Sequence, residues 1–208
     1  MIPVFIPYKN RFDLLLKAVA SVPRRGIYGP VVINNSGGNI DVTCPVVVPP
    51  DPLTFVQTQN LMLKIATERN VPFYFFMHSD AEAGPDTVEK LYEMAMRECS
   101  TRKWGVIFTN YDALAAFNTA AFDTIAGWDT MLSWYCADND AYRRLRLAGY
   151  LTLESNLLVH HEPSQTRNSD PVIRRQVDLE IPFRERYYAA KWGGQPGAET
   201  FEIPWGGK

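Results

Sequence analysis

The stretch that decides the fold is Val71–Asp86, VPFYFFMHSDAEAGPD. It opens with an uncharged run, residues 71–77, that is rich in aromatic side chains and too short to span a membrane. Such a run is typical of a strand that is buried on both faces of a parallel sheet. The run ends abruptly on polar residues at His78. After Gly84-Pro85, the residues Asp86-Thr87 are expected to cap a helix over about residues 88–99.

Two carboxylates, Asp80 and Glu82, follow this strand directly. Open α/β sheets bind ligands at the carboxyl ends of their strands, so these side chains are placed where a ligand is expected. Hard oxygen ligands suit Mg²⁺ or Mn²⁺ and, through the metal, a diphosphate. The alternative is that both residues are solvated members of a loop. A buried aromatic strand seldom ends on an unpaired acid, which favours a metal for Asp80, whereas Glu82 remains open between a contact that supports the site and a solvated loop residue.

Composition limits the classes of function. The chain has 208 residues, 46% of them hydrophobic and 21% charged, which predicts one globular domain with a sizeable core. A formal net charge of −2 provides no basic field for nucleic acid or for an anionic membrane surface. The three cysteines are far apart in the sequence and form no metal-binding pair. With no apolar run of membrane-spanning length and no signal peptide before the first strand, we expect a cytoplasmic protein without membrane insertion.

Apolar runs and helical periodicity alternate along the chain, which predicts an α/β fold with a mostly parallel central sheet flanked by helices. Strands are expected at residues 2–7, 31–33, 46–48, 71–77, 104–109, 113–117, 151–153 and 157–161. Helices are expected at residues 12–22, 54–69, 88–99, 118–125, from about 138 to Gly149, and at 174–188 with an interruption at Pro182. Residues 162–170 are expected to form a polar loop. No GxGxxG and no GxxxxGK[ST] sequence is present, so neither a Rossmann dinucleotide site nor a P-loop is supported.

The domain organisation predicted from these elements is a single unit over residues 1–208. Residues 1–100 form a first half, residues 101–194 a second half, and residues 195–208 a tail. The glycine-rich end at 206–207 would suit a linker, so the chain is also compatible with a piece of a longer polypeptide.

Several landmarks follow one another at a characteristic spacing. They are the Tyr8-Lys9-Asn10-Arg11 turn, the strand end at Asn34-Asn35, Asn60 within a helix, the Ser79-Asp80-Ala81-Glu82 step, Gly127-Trp128-Asp129, Asp138-Asn139-Asp140 and His160-His161. This order resembles the GT-A fold glycosyltransferases, most nearly the large inverting family that includes spore-coat and rhamnosyl transferases. The resemblance covers residues 2 to about 194. The chain is also similar to the small glycosyltransferase domains encoded by large algal viruses, for which the site of action would be the host cytoplasm.

The resemblance implies that the first half, residues 1–100, binds the nucleotide sugar and that the second half, residues 101–194, binds the acceptor. The residues bordering the nucleotide would be Pro7, Tyr8, Arg11, Asn35, Asn60 and Ser79, with Asn35 in place of the usual uracil-contacting Asp. Asp80 would be the last residue of a DxD-like motif and would bind the metal that bridges the donor's two phosphates. Glu82 would support this site or contact the donor sugar, with a solvated loop residue as the alternative. The sequence departs from the motif at His78, which stands where the family has its first Asp.

His160 and His161 end an apolar strand, and adjacent strand residues point to opposite faces, so only one of them is expected to face the site. Imidazole suits Mn²⁺ better than Mg²⁺. The spacing in the resembling family favours His160 as the second metal ligand, with His161 as the close alternative. Either histidine taken alone is also compatible with a structural role.

In the second half the resemblance implies that Asp138 is the general base and that Asp140 supports it or contacts the acceptor. Acids near a helix N-terminus are also stabilised there without any catalytic role. Trp128 and Asp129 would form an acceptor platform, unless Trp128 is simply buried in a turn. Lys191 and Arg167 are candidates for binding the diphosphate, because cations stabilise a departing nucleotide.

The function expected from the sequence is metal-dependent transfer of a sugar, with inversion, from a nucleotide diphosphate sugar to a hydroxyl of a glycan or glycoprotein acceptor. The expected donor is a UDP-sugar and the expected metal is Mn²⁺ or Mg²⁺. One alternative is a non-catalytic module that binds sugar nucleotides or glycans. A second is a sugar-1-phosphate nucleotidyltransferase, which the lack of glycine in residues 7–11 disfavours.

Overall fold

The computed structural model describes residues 1–207 of the chain. The strands of this range are β1 (Ile2–Tyr8), β2 (Tyr28–Asn34), β3 (Val46–Val47), β4 (Phe73–Met77), β5 (Ala81–Ala83), β6 (Trp104–Phe108), β7 (Leu114–Asn118), β8 (Leu151–Glu154) and β9 (Val159–His161). Its α-helices are α1 (Phe12–Ser21), α2 (Phe55–Glu68), α3 (Thr87–Thr101), α4 (Thr119–Thr124), α5 (Ala137–Leu147), α6 (Gln165–Asn168) and α7 (Pro171–Trp192).

The central sheet has seven strands in the order β3-β2-β1-β4-β7-β6-β8. Only β7 runs antiparallel to its neighbours, β4 and β6, and every other pair in the sheet is parallel. The expectation of a mostly parallel sheet flanked by helices is therefore confirmed. A separate two-stranded antiparallel sheet pairs β5 with β9.

β4 lies in the middle of the sheet, and all five of its residues are buried. Its side chains alternate between two hydrophobic clusters, with Phe73, Phe75 and Met77 in one and Tyr74 and Phe76 in the other. The first cluster is completed by α1 and α3, and the second by α2, α4, α5 and α7. The uncharged aromatic run of the sequence therefore has a direct cause, since both faces of this strand pack against helices.

Several helix starts agree with their local sequence. Thr54 forms a capping box with Gln57 at the start of α2, and Asn118 accepts a hydrogen bond from the backbone N–H of Ala121 at the start of α4. The expectation that Asp86 caps α3 with its side chain is wrong. Asp86 does precede the helix, but it adopts a left-handed backbone and its side chain accepts no capping hydrogen bond.

The later elements differ from the expectation in two places. Residues 162–170, expected to be a loop, contain the short helix α6, and α7 continues through Pro182 without a break. The residues after α7 fold back onto it, because the backbone N–H groups of Thr200 and Phe201 donate to the carbonyl of Trp192. None of the helices within residues 1–207 combines the length and the apolar composition that a membrane span requires.

Three strands bring their carboxyl ends to one edge of the sheet, which is where the site is assembled. β1 is parallel to both β2 and β4, and the backbone N–H of Asn35 donates to the carbonyl of Tyr8 at 2.7 Å. β5 and β9 lie just beyond β4 at the same edge. The residues that follow β1, β2 and β4 are therefore neighbours in space, as the sequence predicted.

Candidate functional site

The centre of the site is a group formed by His78, Asp80 and His161. His78 and Asp80 follow β4, and His161 reaches them because β9 pairs with β5 in the register Ala81↔His161. The Nε2 atom of His161 lies 3.3 Å from Oδ1 of Asp80, and both side chains are 9% exposed. One ligand atom from each of the three residues lies within 4.8 Å of the other two.

The group fits a divalent metal ion. Two imidazoles and a carboxylate are suitable ligands for first-row metals. The Nδ1 atom of His161 is buried and has no hydrogen-bond partner within residues 1–207, so the described part of the chain does not fully satisfy this imidazole. Among residues 1–207, this is the group of three side chains with the spacing of a metal site.

The protonation states of the group also suit a metal. Burial lowers the pKa of His78 to about 4, and the charge of Asp80 opposes this shift only in part. Burial raises the pKa of Asp80, but the hydrogen bond with His161, the charges of the two histidines and the backbone N–H of Gln165 lower it to a net value below the ordinary one. A neutral imidazole and an ionised carboxylate are the forms that bind metal ions.

His160, which the sequence analysis preferred as a ligand, lies outside this group. Its register partner is Glu82, its side chain is 68% exposed, and its Nε2 atom lies 3.9 Å from Glu162. Neighbouring strand residues alternate between faces, so the pairing that brings His161 to Asp80 turns His160 away. Glu82 shares this other face and lies 3.7 Å from the amine of Lys17 on α1.

The turn between β1 and α1 lies beside Asp80, and α6 joins the two. Arg11 has a left-handed backbone and donates from its guanidinium to Oε1 of Gln165 at 2.7 Å. The backbone N–H of Gln165 donates in turn to Oδ2 of Asp80 at 3.2 Å, and Asn10 donates to the carbonyl of Thr166 at 3.1 Å. The start of α6 therefore covers the corner between the turn and the carboxylate.

The remaining residues predicted on the nucleotide side are buried or nearly so. Pro7 pairs with Ile33 in the sheet, Tyr8 packs its ring edge-on against Phe12, and Ser79 is 9% exposed. The Asn35 amide donates to Thr58 at 2.9 Å and accepts from the backbone N–H of Leu53 at 3.3 Å. Its side chain thus holds the segment that leads into α2, and it does not present a free amide to a base.

Asn60 and Trp128 contact each other instead of forming separate ligand surfaces. The Asn60 amide donates to the carbonyl of Trp128 at 2.9 Å and accepts from its backbone N–H at 2.8 Å. The Trp128 ring is 4% exposed and packs against Phe55, Phe117 and Phe122. The expectation of an exposed aromatic platform does not agree with this burial.

Lys191 lies in a buried ion-pair network and is not free to bind a diphosphate. Its Nζ atom lies 2.7 Å from Asp129 and 2.6 Å from Asp140, and it is 6% exposed. Asp140, which is fully buried, also accepts from Arg144 and from the indole N–H of Trp192. These three predicted site residues therefore join α5 and α7, because buried charges require partners.

Arg167, the other cation proposed for the diphosphate, is paired within the chain. Its guanidinium donates to Asp178 of α7 and, at 3.3 Å, to the hydroxyl of Tyr135. Arg167 lies in α6 and Tyr135 precedes α5, so this contact connects α6 to the segment before α5.

Asp138 lies in the first turn of α5, close enough for its charge to raise the pKa of Asp112 and of Tyr142. The Tyr142 hydroxyl donates to Oδ2 of Asp112 at 2.9 Å. Asp112 is next in sequence to a residue that contacts the group of His78, Asp80 and His161. The backbone N–H of His78 donates to the carbonyl of Ala113, the residue after Asp112, at 3.0 Å. Burial raises the pKa of Asp138, and it raises the pKa of Asp112 to about 7 with a further contribution from the charge of Asp138.

The raised pKa of Asp112 can be tested by measuring how the stability of the folded chain depends on pH. Its pKa is about 7 in the folded chain and near its ordinary value when unfolded, so the folded state holds the proton more tightly. Ionisation therefore costs stability as the pH rises, and the cost is absent at low pH. We expect Asp112→Asn, which can still accept from Tyr142, to raise the melting temperature at about pH 8 and to have little effect at about pH 4.

Thermal unfolding of the two proteins at both pH values checks this expectation. Asp51→Asn, at an exposed carboxylate, is the matched control and should change little at either pH. An effect of Asp112→Asn that is equal at the two pH values would contradict the raised pKa.

The sequence analysis missed three residues of the site, namely His78 as a member of the group, Asp112 and Tyr142. The spacing His78-Ser79-Asp80 places two ligand types one residue apart and was a signal for the first. Asp112 and Tyr142 are separated by 30 positions and carry no local motif.

No protein-family profile matches the chain, and no curated protein matches it. Solved structures do share its fold. TarS of S. aureus superposes with a TM-score of 0.59 at 12% identity over 86% of this chain and 39% of its own, and a TarS fragment in complex with UDP does so over 87% and 65%. A mutant of Drosophila β1,4-galactosyltransferase 7 with manganese, UDP-Gal and xylobiose gives 0.53 at 15% identity, over 80% and 72%.

This chain thus spans less than two thirds of the TarS structures that it matches. At these identities the likeness concerns the fold. The order of strands, the position of the acidic step after β4 and these superpositions lead to one conclusion: the chain has the GT-A fold found in these glycosyltransferases.

Proposed function

We propose that the chain is a metal-dependent glycosyltransferase that moves a sugar from a UDP-sugar to an acceptor hydroxyl with inversion at the anomeric carbon. The observation that carries this proposal is the meeting of Asp80 and His161 beyond β4 of a GT-A fold. The Drosophila galactosyltransferase structure contains manganese, UDP-Gal and a xylobiose, and a TarS structure contains UDP. These complexes support a metal and a uridine nucleotide for this chain.

Asp80 and His161 would hold the metal, and the residues around them would hold the nucleotide. A divalent metal supplies Lewis-acid stabilisation of the negative charge on a departing diphosphate. Pro7, Tyr8 and Arg11 lie at the neighbouring strand end, on the side of Asp80 that α6 covers. We assign the nucleotide to this corner, with α6 closing over it through Gln165.

Asp138 is the proposed general base. Its carboxylate takes the proton of the acceptor hydroxyl while that oxygen bonds to the anomeric carbon. The bond between the anomeric carbon and the diphosphate oxygen breaks, and the electron pair leaves with the nucleotide diphosphate. A base on the side opposite the leaving group is what inversion requires, and its raised pKa makes it a better proton acceptor than an ordinary Asp.

The residues of the buried network are assigned positioning roles in this proposal. Lys191, Asp129 and Asp140 hold α5 against α7, so they fix the helix whose first turn carries Asp138. Asn60 and Trp128 attach α2 to the segment that precedes α5. The three free cysteines are compatible with action in a reducing compartment such as the cytoplasm.

The nucleotide preference is a further prediction. A ligand that binds only the folded state at a free concentration c raises its apparent stability by RT ln(1 + c/Kd), so at equal concentration the tighter ligand stabilises more. In the presence of Mn²⁺, we expect UDP to raise the melting temperature more than equal concentrations of GDP or ADP. Thermal unfolding with each nucleotide checks this, and a larger shift with GDP would overturn the uridine assignment while leaving the fold as it is.

The activity itself is tested by incubating the chain with Mn²⁺ and a panel of UDP-sugars, with glycan and glycoprotein acceptors, and measuring the products. Transfer predicts free UDP in an amount equal to the glycosylated acceptor. Pyrophosphate as the product would indicate nucleotidyl transfer. Tight UDP-sugar binding with neither product, across the panel, would indicate a non-catalytic binding module.

A further inference from the structure

His78 lies two residues before Asp80, and its imidazole ring is packed between neighbouring aromatic side chains. The His78 ring stacks on the His161 ring with a centroid distance of 5.0 Å and an interplanar angle of 28°. Its other neighbour is Phe76, which meets it edge-on at 4.8 Å. Packing on both sides restricts the ring, and its ligand atom lies within 4.8 Å of those of Asp80 and His161.

Within residues 1–207, Asp80 is the one carboxylate among the side chains that have the spacing of this group. Two acids close to it in sequence, Glu82 and Glu162, lie against Lys17 and His160 respectively. Within the described part of the chain, the group therefore consists of two nitrogen donors and one carboxylate. The buried and unpartnered Nδ1 of His161 shows that this imidazole is not fully satisfied by the protein itself.

This donor set discriminates between metals. Mg²⁺ is bound through oxygen ligands and gives up its water reluctantly, so imidazole is a poor ligand for it. Imidazole suits the first-row transition metals, and two histidines with one carboxylate on one side of such an ion leave other coordination positions open. Those open positions are where diphosphate oxygens would bind.

We infer that His78 is a third protein ligand, so that this site binds a first-row transition metal ion such as Mn²⁺, Co²⁺ or Zn²⁺ and rejects Mg²⁺. The inference deepens the proposed function by naming its class of metal, and it rests on that function only for what the metal does in transfer.

The test measures metal binding alone, in the absence of nucleotide and sugar. The full chain is stripped with a chelator and titrated calorimetrically with Mn²⁺, Co²⁺, Zn²⁺ and Mg²⁺. We expect each transition metal to bind at least about 10-fold more tightly than Mg²⁺. Electron spin echo spectroscopy of the Mn²⁺ complex should show two imidazole nitrogens, a count that needs no variant.

Three variants complete the experiment. His78→Asp, which creates a D-x-D sequence, should gain Mg²⁺ affinity and show one nitrogen, and His78→Ala should weaken Co²⁺ binding by about 10-fold or more. His160→Ala is the matched control, since this exposed neighbour of His161 lies outside the group, and it should leave every affinity unchanged. Circular dichroism establishes that each variant is folded.

Equal affinity of the unaltered chain for Mg²⁺ and Mn²⁺ would overturn the inference, as would a single nitrogen in its Mn²⁺ complex or no metal binding at all. The proposed function fails by a different result, the absence of UDP release with every metal and every donor. Release of UDP that proceeds equally with Mg²⁺ would retain the transferase and reject the metal selectivity.

Discussion

Asp138→Asn is expected to reduce sugar transfer by a factor of about 10²–10⁴ while donor and Mn²⁺ binding stay near normal. The amide has almost the shape of the carboxylate but does not accept a proton at neutral pH. Asp138 lies in the first turn of α5, apart from the strand end that carries Asp80, so the donor side should not be affected. Measuring kcat for transfer and, separately, Mn²⁺-dependent UDP affinity checks both parts.

The neighbouring positions provide the controls for this variant. Asn139→Ala, at the exposed residue that follows, should transfer sugar at close to the parent rate. Asp140→Asn should lower the melting temperature. Lys191 would lose one of its two carboxylate partners, the fully buried Asp140, and its own buried charge would be only partly paired. Transfer by Asp138→Asn at the parent rate, or a product that retains the donor's anomeric configuration, would remove Asp138 as the base.

The pH dependence of transfer adds an independent check on the same residue. Burial raises the pKa of Asp138, so the carboxylate is protonated, and inactive as a base, at a higher pH than an ordinary aspartate would be. Activity should therefore fall on the acid side at a pH above the usual range for this side chain. Asp138→Asn should lose this limb of the profile.

The second large effect is expected from Asp80→Ala, which should abolish Mn²⁺-dependent UDP binding in a chain that remains folded. The variant removes the only carboxylate of the group. It also removes the acceptor for the backbone N–H of Gln165, so the covering segment at α6 loses a contact. Asp80→Asn keeps an oxygen for that hydrogen bond and removes the charge, which separates the two causes.

Calorimetry with UDP, in the presence and absence of Mn²⁺, measures the result. The two histidines provide a matched pair, since His161→Ala should weaken Mn²⁺-dependent binding strongly and His160→Ala should not. Mn²⁺-stimulated UDP affinity that is unchanged in Asp80→Ala would exclude Asp80 from the metal site. Equal and mild effects of the two histidine variants would mean that both are structural.

Much of the fold was predictable because its signals are local. The aromatic run before His78 predicted a central strand, and helical periodicity predicted α1, α2 and α3 with ends close to those observed. The short strand β5 was missed, since a run of three residues such as Ala81–Ala83 has no pattern of its own. It is a strand only because β9 pairs with it.

Residues in the second half were predicted with less success, for a common reason. Lys191 and Trp128 have the residue types of ligand contacts, and their partners are distant in sequence, at Asp129 and Asp140 for Lys191 and at Asn60 for Trp128. Periodicity gives no information on such pairs. In the structure both side chains are buried against these partners.

The sequence by itself determined the class of fold, the order of its larger elements and the position of a carboxylate just after a fully buried central strand. These depend on hydrophobic patterns within a few residues, which act on the chain wherever it lies. Tertiary structure decided which histidine reaches Asp80. The hydrogen-bond register between β5 and β9 places Ala81 opposite His161, and a shift of one residue would have presented His160 instead.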